Sequence, residues 1–307
     1  MFFIDNLKKI IYYNRRRSFL EEKSMSTIRI TADSTCDLSP ELIRKYDFGI
    51  MPLFVGLGDT YGKDGIDVFP EDIYKYVKET GVLPKTAAGT IPDYEAFFRQ
   101  YTDKGETVIH FNISSGFSST HQNARLAAEE IGSGVYVVDS LNLSTGTAHL
   151  MLDAADMLCD GMDAESVVEA VRERASLVRT SFVVDTLDYL RMGGRCSAVS
   201  ALGANLLKLH PCIEVRDGGM VVGTKYRGPL AKVIRQYALD KLTKTENIRM
   251  KNVFITHTNC DEDIVAAVRE IVETHASFEN IYETKAGATV NSHCGQGTLG
   301  VLFEVDK

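Results

Sequence analysis

The chain has 307 residues, of which 44% are hydrophobic, 25% charged and 9% aromatic, a balance typical of globular proteins that excludes a disordered, collagen-like or repeat-biased chain. No apolar stretch approaches the ~18 residues that a bilayer crossing requires. With 34 basic against 42 acidic residues and a formal net charge of −8, the chain lacks the basic surface of a nucleic-acid-binding protein.

The first 24 residues differ in character from the remainder. They hold six basic and three acidic residues, and Lys8 and Lys9 interrupt their apolar run ahead of residues 15–17, which are all arginine. A secretory signal has its positive charges first and then an unbroken apolar run, so a signal peptide is excluded. Two interpretations stay open: an amphipathic helix at a membrane surface, and an upstream start codon with the domain beginning at Met25. The second is favoured, and residues 1–25 are interpreted as an N-terminal extension.

Strand and helix signals alternate from Ile28 to about residue 160. Ser39 before Pro40 is a helix start, because serine is a preferred N-cap and proline suits the first helical position. We predict strands at 28–32, 49–57, 108–111 and 135–138. One helix is predicted to begin at residue 40, two helices to span 70–80 and 92–103, and a fourth to end at residue 131. Two more helices follow, the second of which begins near residue 163. This alternation predicts a parallel sheet flanked by helices over residues 26–160. Ligands of such sheets bind at the carboxyl ends of the strands.

The pattern changes after about residue 160. We predict short strands at 182–184, 212–215, 220–224, 253–256 and 299–305, and residues 217–219, Asp-Gly-Gly, form a hairpin signal. A second α/β domain with a mixed or antiparallel sheet is therefore predicted at 161–307. The expected fold class is a two-domain α/β protein.

Two segments resemble nucleotide-binding motifs, but the surrounding sequence excludes both as nucleotide sites. Residues 295–300 spell G-x-G-x-x-G, but the dinucleotide motif needs a following helix and an acidic residue ~20 positions on. Only seven residues follow Gly300. The turn still allows a backbone to approach a ligand closely. Gly62-Lys63 lacks the leading glycine of a Walker A motif, so no P-loop site for ATP is expected.

Catalytic and metal-binding signatures are weak as well. Residues 116–120 lack the second glycine of a nucleophile elbow. The seven histidines have no paired metal-ligand spacing, and the six cysteines are too far apart for a zinc ribbon or a redox dithiol. We expect no metal, no cofactor, reduced thiols, and structural roles for His110 and His210. A nucleophilic thiol is the minor alternative at three loop cysteines, Cys36, Cys196 and Cys294.

Hydroxyl-rich loops and isolated cations remain. Any single serine or threonine in these loops is best explained as a helix cap, but Ser114–Thr120 holds more hydroxyls than one cap uses. A helix N-terminus with spare hydroxyl and N–H groups is a ready anion site. Arg195, Arg227 and His293 each lie near a glycine, although such residues are more often solvated or ion-paired. The residues by themselves indicate an anion-binding α/β protein.

The order of these segments resembles the DegV family, the bacterial fatty-acid-binding proteins, over residues 28–303. Seven modest motifs occur in the family's order, which makes the match specific. They are Asp33-Ser34-Thr35-Cys36-Asp37-Leu38, Lys85-Thr86, residues 113–120 (ISSGFSST), Val138-Asp139-Ser140, residues 186–195 (TLDYLRMGGR), Asp217-Gly218 with Lys225-Tyr226-Arg227, and His293-Cys294-Gly295-Gln296-Gly297.

The resemblance implies a long-chain fatty acid in a buried tunnel, as the bound ligand of a cytoplasmic protein without other cofactors. Its carboxylate is expected to be bound by Thr86 and Ser118, together with Ser114 and Ser119, and to be presented to a separate ATP-dependent fatty-acid kinase. The product, an acyl phosphate, feeds phospholipid synthesis, so the chain is not expected to be an enzyme on its own. Arg195, Arg227 and His293 are expected to serve phosphoryl transfer or kinase docking, and the supporting loops hold Asp33, Ser34, Gly295 and Gly297.

The sequence departs from the family pattern after Thr86. Family members commonly continue Ser-Gln-Pro, whereas Ala87, Ala88 and Gly89 follow here, so two polar side chains of the head-group region are missing. The carboxylate then relies more on Thr86, Ser118 and backbone N–H groups. Two alternatives stay open: a lipid carrier without a kinase partner, and a self-contained enzyme acting on a small phosphate or acyl substrate.

Overall fold

The computed structural model describes residues 27–197 and 209–307; the N-terminal extension therefore lies outside the described residues. In the first half, the strands and helices in chain order are β1 (Ile28–Asp33), α1 (Pro40–Tyr46), β2 (Gly49–Met51), β3 (Phe54–Leu57), β4 (Thr60–Lys63), α2 (Pro70–Thr80), β5 (Lys85–Ala87), α3 (Ile91–Thr102), β6 (Thr107–Asn112), α4 (Thr120–Ile131), β7 (Val135–Asp139) and α5 (Thr145–Cys159).

The second half continues in the same alternating manner. Its elements are α6 (Ala164–Arg174), β8 (Val178–Arg179), β9 (Ser181–Val183), α7 (Asp188–Gly193), β10 (Leu209–Arg216), β11 (Gly219–Arg227), α8 (Leu230–Lys244), β12 (Ile248–His257), α9 (Glu262–His275), β13 (Asn280–Lys285), α10 (Ala288–Cys294) and β14 (Leu299–Val305).

Local side-chain hydrogen bonds explain several helix starts. The Ser39 hydroxyl accepts from the Leu42 N–H, with Pro40 in the first turn, as the sequence predicts. Asp163 accepts in the same way from the Ser166 N–H and begins α6. These bonds satisfy amide groups that have no partner within the helix.

Three sheets form the framework. The first is parallel, in the order β2-β1-β6-β7, so the carboxyl ends of β1 and β6 lie side by side. The second is mixed, in the order β11-β10-β9-β14-β12-β13, with β8 also paired to β14; β12 and β13 are parallel and the other pairs antiparallel. The predicted parallel and mixed sheets are both confirmed.

The third sheet corrects the sequence prediction. Residues 49–57 were expected to form one strand, but the chain turns at Pro52 and Leu53, so that β2 joins the parallel sheet while β3 pairs with β4 and β5. Proline provides no N–H for a ladder, which favours a break at this point. Strand β13 and the short helix α10 were also not predicted.

Helix α5 lies between the two large sheets and joins their cores. Eleven consecutive residues, Thr145–Ala155, are buried, as expected for a helix covered on all sides. One apolar cluster contains Ile109 of the parallel sheet, Leu150 of α5 and Leu302 of the mixed sheet. The two halves of the chain therefore share a hydrophobic core at α5.

A buried charge cluster adds to this junction. Asp153 of α5 and Glu304 of β14 are only 1% and 2% exposed. Arg249 Nη1 lies 2.7 Å from both Asp153 Oδ2 and Glu304 Oε2, and Arg174 Nη1 lies 2.9 Å from Asp153 Oδ2. Burial, together with the charge of Asp153, raises the pKa of Glu304 to about 7. Buried charges are costly unless paired, and these two arginines provide the pairing.

His149 makes the stability of the fold depend on pH. It is fully buried, its Nε2 lies 3.1 Å from the Leu302 carbonyl oxygen, and burial lowers its pKa to about 4. A base with a depressed native pKa stabilises the fold above its unfolded pKa of ~6.5, and this contribution is lost as the pH falls towards 4. We expect the stability difference between wild type and His149→Gln to shrink by as much as about 3 kcal/mol from pH 7 to pH 4.

Denaturant unfolding of both proteins across this pH range measures the difference. The exposed His275, changed to glutamine, is the control and should give a difference independent of pH. A pH-independent difference for His149→Gln would contradict a neutral buried imidazole.

None of the helices at 27–197 and 209–307 combines the length and the apolar character that a membrane crossing requires.

Candidate functional site

A cavity lies between the parallel sheet, the small third sheet and α10. It encloses about 610 Å³ of space that no atom fills, part of it open to solvent. Most of its lining is apolar. The lining residues are Thr35, Leu53, Thr86, Ala87, Ala88, Ile113, Phe117, Ser118, Leu143, Arg195, Met220, Thr289, Val290, His293 and Cys294.

Thr86 and His293 form the central polar pair of this cavity. Thr86 lies on β5, opposite Val55 of β3, and His293 lies in the last turn of α10. Thr86 Oγ1 and His293 Nε2 are 2.8 Å apart, a hydrogen bond between residues 207 positions apart in the sequence. The fold therefore joins two residues that the sequence marks separately.

His293 is held in its neutral form. Burial lowers the pKa of His293 to about 4, and the positive charge of Arg195 acts in the same direction. Its Nδ1 has no hydrogen-bond partner among the described residues. A Cβ at Gly193 would lie 2.5 Å from this atom, so glycine is required where α7 passes the imidazole.

The three predicted serines have different positions. Ser118 lines the cavity, and its Oγ accepts from the Thr120 N–H over 3.3 Å, which leaves its proton available to a ligand. Ser114 is buried and donates to the Gly218 carbonyl oxygen over 2.7 Å, so its hydroxyl ties this loop to the β10–β11 hairpin. Ser119 is exposed. Neither of these two lines the cavity.

The two predicted arginines also differ. Arg195 is exposed at the cavity, where its guanidinium donates to the carbonyl oxygens of Gly193 (2.9 Å) and Phe117 (3.4 Å). Arg227 is the exposed last residue of β11 and does not line the cavity. No ion pair within 27–197 and 209–307 involves either side chain, so both charges face solvent or a ligand.

The supporting loops hold the site without lining it. The carboxylate of Asp33 is buried and accepts from the hydroxyl of Tyr94, the amide of Asn112 and the N–H of Ile113, which fixes β1 against β6 and α3. The Ser34 hydroxyl donates to Asp64.

The glycine turn after α10 has a structural position as well. Gly295 has a φ of +71°, and its carbonyl oxygen accepts from the Thr258 hydroxyl. The N–H of Gly297 donates to the Thr258 carbonyl oxygen. Both glycines therefore join α10 to β12, and neither lines the cavity.

The thiols near the cavity are poor nucleophiles. Burial raises the pKa of Cys36 and of Cys294 to about 12, so both are protonated at neutral pH, and the thiolate is the reactive form. At positions 27–197 and 209–307, no group of three or more histidine, cysteine, aspartate or glutamate side chains could hold a metal ion.

The cavity residues therefore suit an amphiphilic ligand. The hydroxyls of Thr86 and Ser118 can donate to an anionic head group, and Leu53, Ile113 and Met220 provide apolar surface for a hydrocarbon chain. The sequence did not single out Leu53, Thr289 or Val290 for this cavity, nor Asp64 behind it. Apolar lining residues carry no local signal that separates them from the core.

The comparisons with known proteins identify the family of the chain. A family model described as an uncharacterised protein of the DegV family matches residues 27–306. The chain belongs to the DegV family. This confirms the family resemblance seen in the motifs.

Several DegV relatives are similar over nearly their whole length. A Thermotoga maritima protein named fatty acid-binding protein is 30% identical over 287 residues, 91% of this chain and 98% of that protein. A DegV family structure from Thermus thermophilus, described as binding fatty acid, is 28% identical with a TM-score of 0.84, over 91% of this chain and all 100% of that one. The Streptococcus pneumoniae fatty acid kinase (Fak) B3 protein, loaded with linoleic acid, shares the fold, with a TM-score of 0.78 at 23% identity over 91% and 100% of the two chains.

Proposed function

We propose that this DegV protein binds a long-chain fatty acid in the cavity and presents its carboxylate to a separate ATP-dependent kinase. The observation that carries the proposal is the hydrogen-bonded pair of Thr86 and His293, 2.8 Å apart at an apolar cavity that Ser118 also lines. The Thermotoga maritima and Thermus thermophilus relatives, named for fatty-acid binding, support the ligand class.

The hydrogen-bond directions suit a carboxylate. If Nε2 of the neutral His293 carries the proton, it donates to Thr86 Oγ1, and the Thr86 proton is then free for a carboxylate oxygen. Ser118 Oγ already accepts from the Thr120 N–H and can donate in the same way. Two hydroxyl donors satisfy a buried carboxylate without the tight ion pair that a lysine would form, and they leave it nucleophilic. Ala87 and Ala88 add only methyl groups to the cavity, so the head group relies on hydroxyls such as those of Thr86 and Ser118.

Arg195 and Arg227 are the residues we assign to transfer and docking. In the transfer step, a carboxylate oxygen attacks the γ-phosphorus of ATP held by the kinase, and ADP leaves. This chemistry depends on positioning and positive charge, which the unpaired guanidinium of Arg195 supplies at the cavity. The exposed Arg227 lies outside the cavity, and we assign it to contact with the kinase.

A self-contained acyl-transfer enzyme fits these contacts less well. Thr86 and His293 form a hydroxyl–imidazole pair that the sequence did not predict. A nucleophile–base pair needs a third group on the other ring nitrogen to orient the base and stabilise its charged form. The Nδ1 of His293 has no partner in the described part of the chain, and Arg195 disfavours an imidazolium. The pair is therefore better suited to donate hydrogen bonds than to remove a proton.

The binding proposal is tested on protein purified gently from a bacterial host. Solvent extraction and mass spectrometry should yield about one equivalent of long-chain fatty acid. Delipidation should lower the melting temperature, because a ligand bound only by the native state stabilises it. Folded protein without lipid, which also fails to bind added oleic acid, would refute the proposal.

Substitution of the two hydroxyls tests the head-group contacts. Hydrogen bonds to charged groups contribute ~1.5–3 kcal/mol, so Thr86→Val and Ser118→Ala should each weaken the affinity for oleic acid roughly tenfold or more. Titration calorimetry on delipidated protein measures the dissociation constants. Ser119→Ala is the matched control, because Ser119 is adjacent, exposed and outside the cavity, and it should bind like wild type. Equal affinities for all four proteins would place the carboxylate elsewhere.

A further inference from the structure

Asp64 is a buried residue that belongs to the sheet carrying Thr86. It follows β4 directly, is 4% exposed, and its N–H donates to the Leu53 carbonyl oxygen over 2.8 Å, at the entrance to β3. Strand β3 pairs with β5, where Val55 lies opposite Thr86. The backbone at Asp64 is therefore fixed relative to Thr86 through this small sheet.

The side chain of Asp64 contacts the helix that carries His293. Asp64 Oδ1 accepts from the Ala288 N–H over 2.8 Å, and Oδ2 accepts from the Thr289 N–H over 3.2 Å and from the Ser34 hydroxyl over 2.9 Å. Ala288 and Thr289 are the first residues of α10, and His293 lies one turn further along. One carboxylate, 224 positions from Ala288 in the sequence, thus ties the start of α10 to the sheet of Thr86.

A second carboxylate, Asp37, lies beside the same helix end but makes different contacts. Its Oδ1 accepts from the Gly287 N–H over 2.7 Å, and its Oδ2 lies 2.5 Å from Ser144 Oγ. A Cβ at Gly287 would stand 3.1 Å from Asp64 Oδ1 and 3.4 Å from Asp37 Oδ1, so the glycine lets both carboxyl groups approach. Burial, with the charge of Asp64, raises the pKa of Asp37 to about 8, so Asp37 is mostly neutral at pH 7.

We propose that Asp64 is a positioning residue, whose carboxylate fixes α10 against the third sheet and so sets the Thr86–His293 hydrogen bond of the cavity. Both oxygens of Asp64 act only as acceptors, towards three donors. An aspartate in this position can satisfy all three donors at once, whereas an amide cannot. The consequence for fatty-acid affinity rests on the proposed function; the effect on the Thr86–His293 bond does not.

Two isosteric substitutions separate the roles of the neighbouring carboxyl groups. In Asp37→Asn, the amide oxygen can accept from Gly287 and the NH₂ can donate to Ser144 Oγ, so every contact survives. In Asp64→Asn, the side-chain amide can take two orientations, and each places its NH₂ group against a hydrogen-bond donor. In one orientation the NH₂ faces the Ala288 N–H, and in the other it faces the Thr289 N–H and the Ser34 hydroxyl. Only the second change should displace α10.

The imidazole of His293 reports this displacement directly. We expect ¹H–¹⁵N NMR titration, with His293→Gln for assignment, to show a neutral wild-type ring down to pH 5. Asp64→Asn should move the pKa of His293 upwards towards the ordinary ~6.5 by about one unit or more, because water reaches a displaced ring. Arg195 is the charged group whose field acts on this imidazole, and it is unchanged in every variant. Asp37→Asn should titrate like wild type.

General destabilisation is controlled by Val272→Ala. Val272 is fully buried in α9, in the core of the mixed sheet, and its truncation should lower the melting temperature without moving the His293 titration. If Asp64→Asn does not fold, Ser34→Ala removes one donor from Asp64 and should shift the titration in the same direction by less. The proposal would be overturned if His293 titrates as in the wild type in a folded Asp64→Asn protein. If Asp64→Asn does not fold, the same result for Ser34→Ala would overturn it.

The fatty-acid readout is separate. Asp64→Asn should also weaken the affinity for oleic acid roughly tenfold, as expected when a hydrogen bond to a charged group is lost. Because the titration uses delipidated protein, a shifted His293 pKa in a protein that never binds oleic acid would refute the proposed function and support the positioning role. An unshifted His293 pKa in Asp64→Asn, in a protein that binds oleic acid, would refute the positioning role and support the proposed function.

Discussion

Replacing Arg195 by alanine should lower kinase-dependent acyl-phosphate formation by roughly 10³-fold, since a positioned arginine contributes rate factors of this order in phosphoryl transfer. The affinity for oleic acid should change by less than about twofold, because the hydroxyls of Thr86 and Ser118, and not the guanidinium, are the proposed partners of the carboxylate. The side chain lies exposed at the cavity, where two carbonyl oxygens, of Gly193 and Phe117, orient it. Its charge is therefore free to act on a phosphoryl group in the proposed transfer step.

The measurement combines single-turnover phosphorylation of bound oleic acid by the kinase of the same organism with calorimetric binding of the acid. Arg191→Ala is the matched control, because Arg191 is exposed on α7 and pairs with Asp188 at 3.1 Å. Arg195→Lys keeps the charge but loses the planar fork, and should recover part of the rate. Turnover by Arg195→Ala at the wild-type rate would refute the role of Arg195 in the transfer step.

Replacing Arg249 by methionine should lower the free energy of unfolding by about 3–5 kcal/mol, the usual effect of removing one partner from a buried ion pair. Arg249 bonds both Asp153 and Glu304, which are almost completely buried. Without it, Glu304 keeps Arg174 at 3.8 Å, and Asp153 keeps Arg174 at 2.9 Å and Lys251 at 3.6 Å. Because the pKa of Glu304 is already raised to about 7, protonation of Glu304 can relieve part of the penalty. The loss should therefore be larger at pH 8 than at pH 6.

Urea unfolding at the two pH values measures both effects. Arg99→Met provides the control: Arg99 is half-exposed on α3 and pairs with Glu95 one turn away, an interaction that contributes only ~0.3–0.5 kcal/mol. Equal destabilisation by the two substitutions would show that the buried cluster contributes no more than a surface pair.

Much of the secondary structure was determined locally. Helix starts at Ser39-Pro40 and Asp163, and the hairpin at Asp217-Gly218, are encoded by side chains that bond or shape a backbone only a few residues away. The alternation of strands and helices likewise predicted the parallel sheet. The helix starts and the hairpin depend on contacts within one turn or one hairpin, whereas the parallel sheet was predicted from the order of the elements and not from its contacts.

The third sheet and α10 were not determined in that way. Residues 49–57 form one apolar run in the sequence. The run is divided between two sheets because its first part pairs with β1 and its second part pairs with β5. Helix α10 has seven residues, two of them, Thr289 and Val290, β-branched, which weakens any helical pattern. Its first N–H groups are satisfied by Asp37 and Asp64, so its stability comes from residues more than 200 positions away.

The site shows the same division. The sequence, through the family motifs, marked Thr86, Ser118, Arg195 and His293 as members of one site, and the fold brings all four to one cavity. It also marked Ser114, whose hydroxyl the tertiary structure commits to the Gly218 carbonyl oxygen. Only the tertiary structure decided the distance between Thr86 and His293 and the carboxylate that holds the helix of that histidine. It also decided that, among residues 27–197 and 209–307, no group bonds the His293 Nδ1. A cap or turn hydrogen bond closes a few residues of chain, whereas these contacts close loops of about 200 residues and exist only once the whole core has formed.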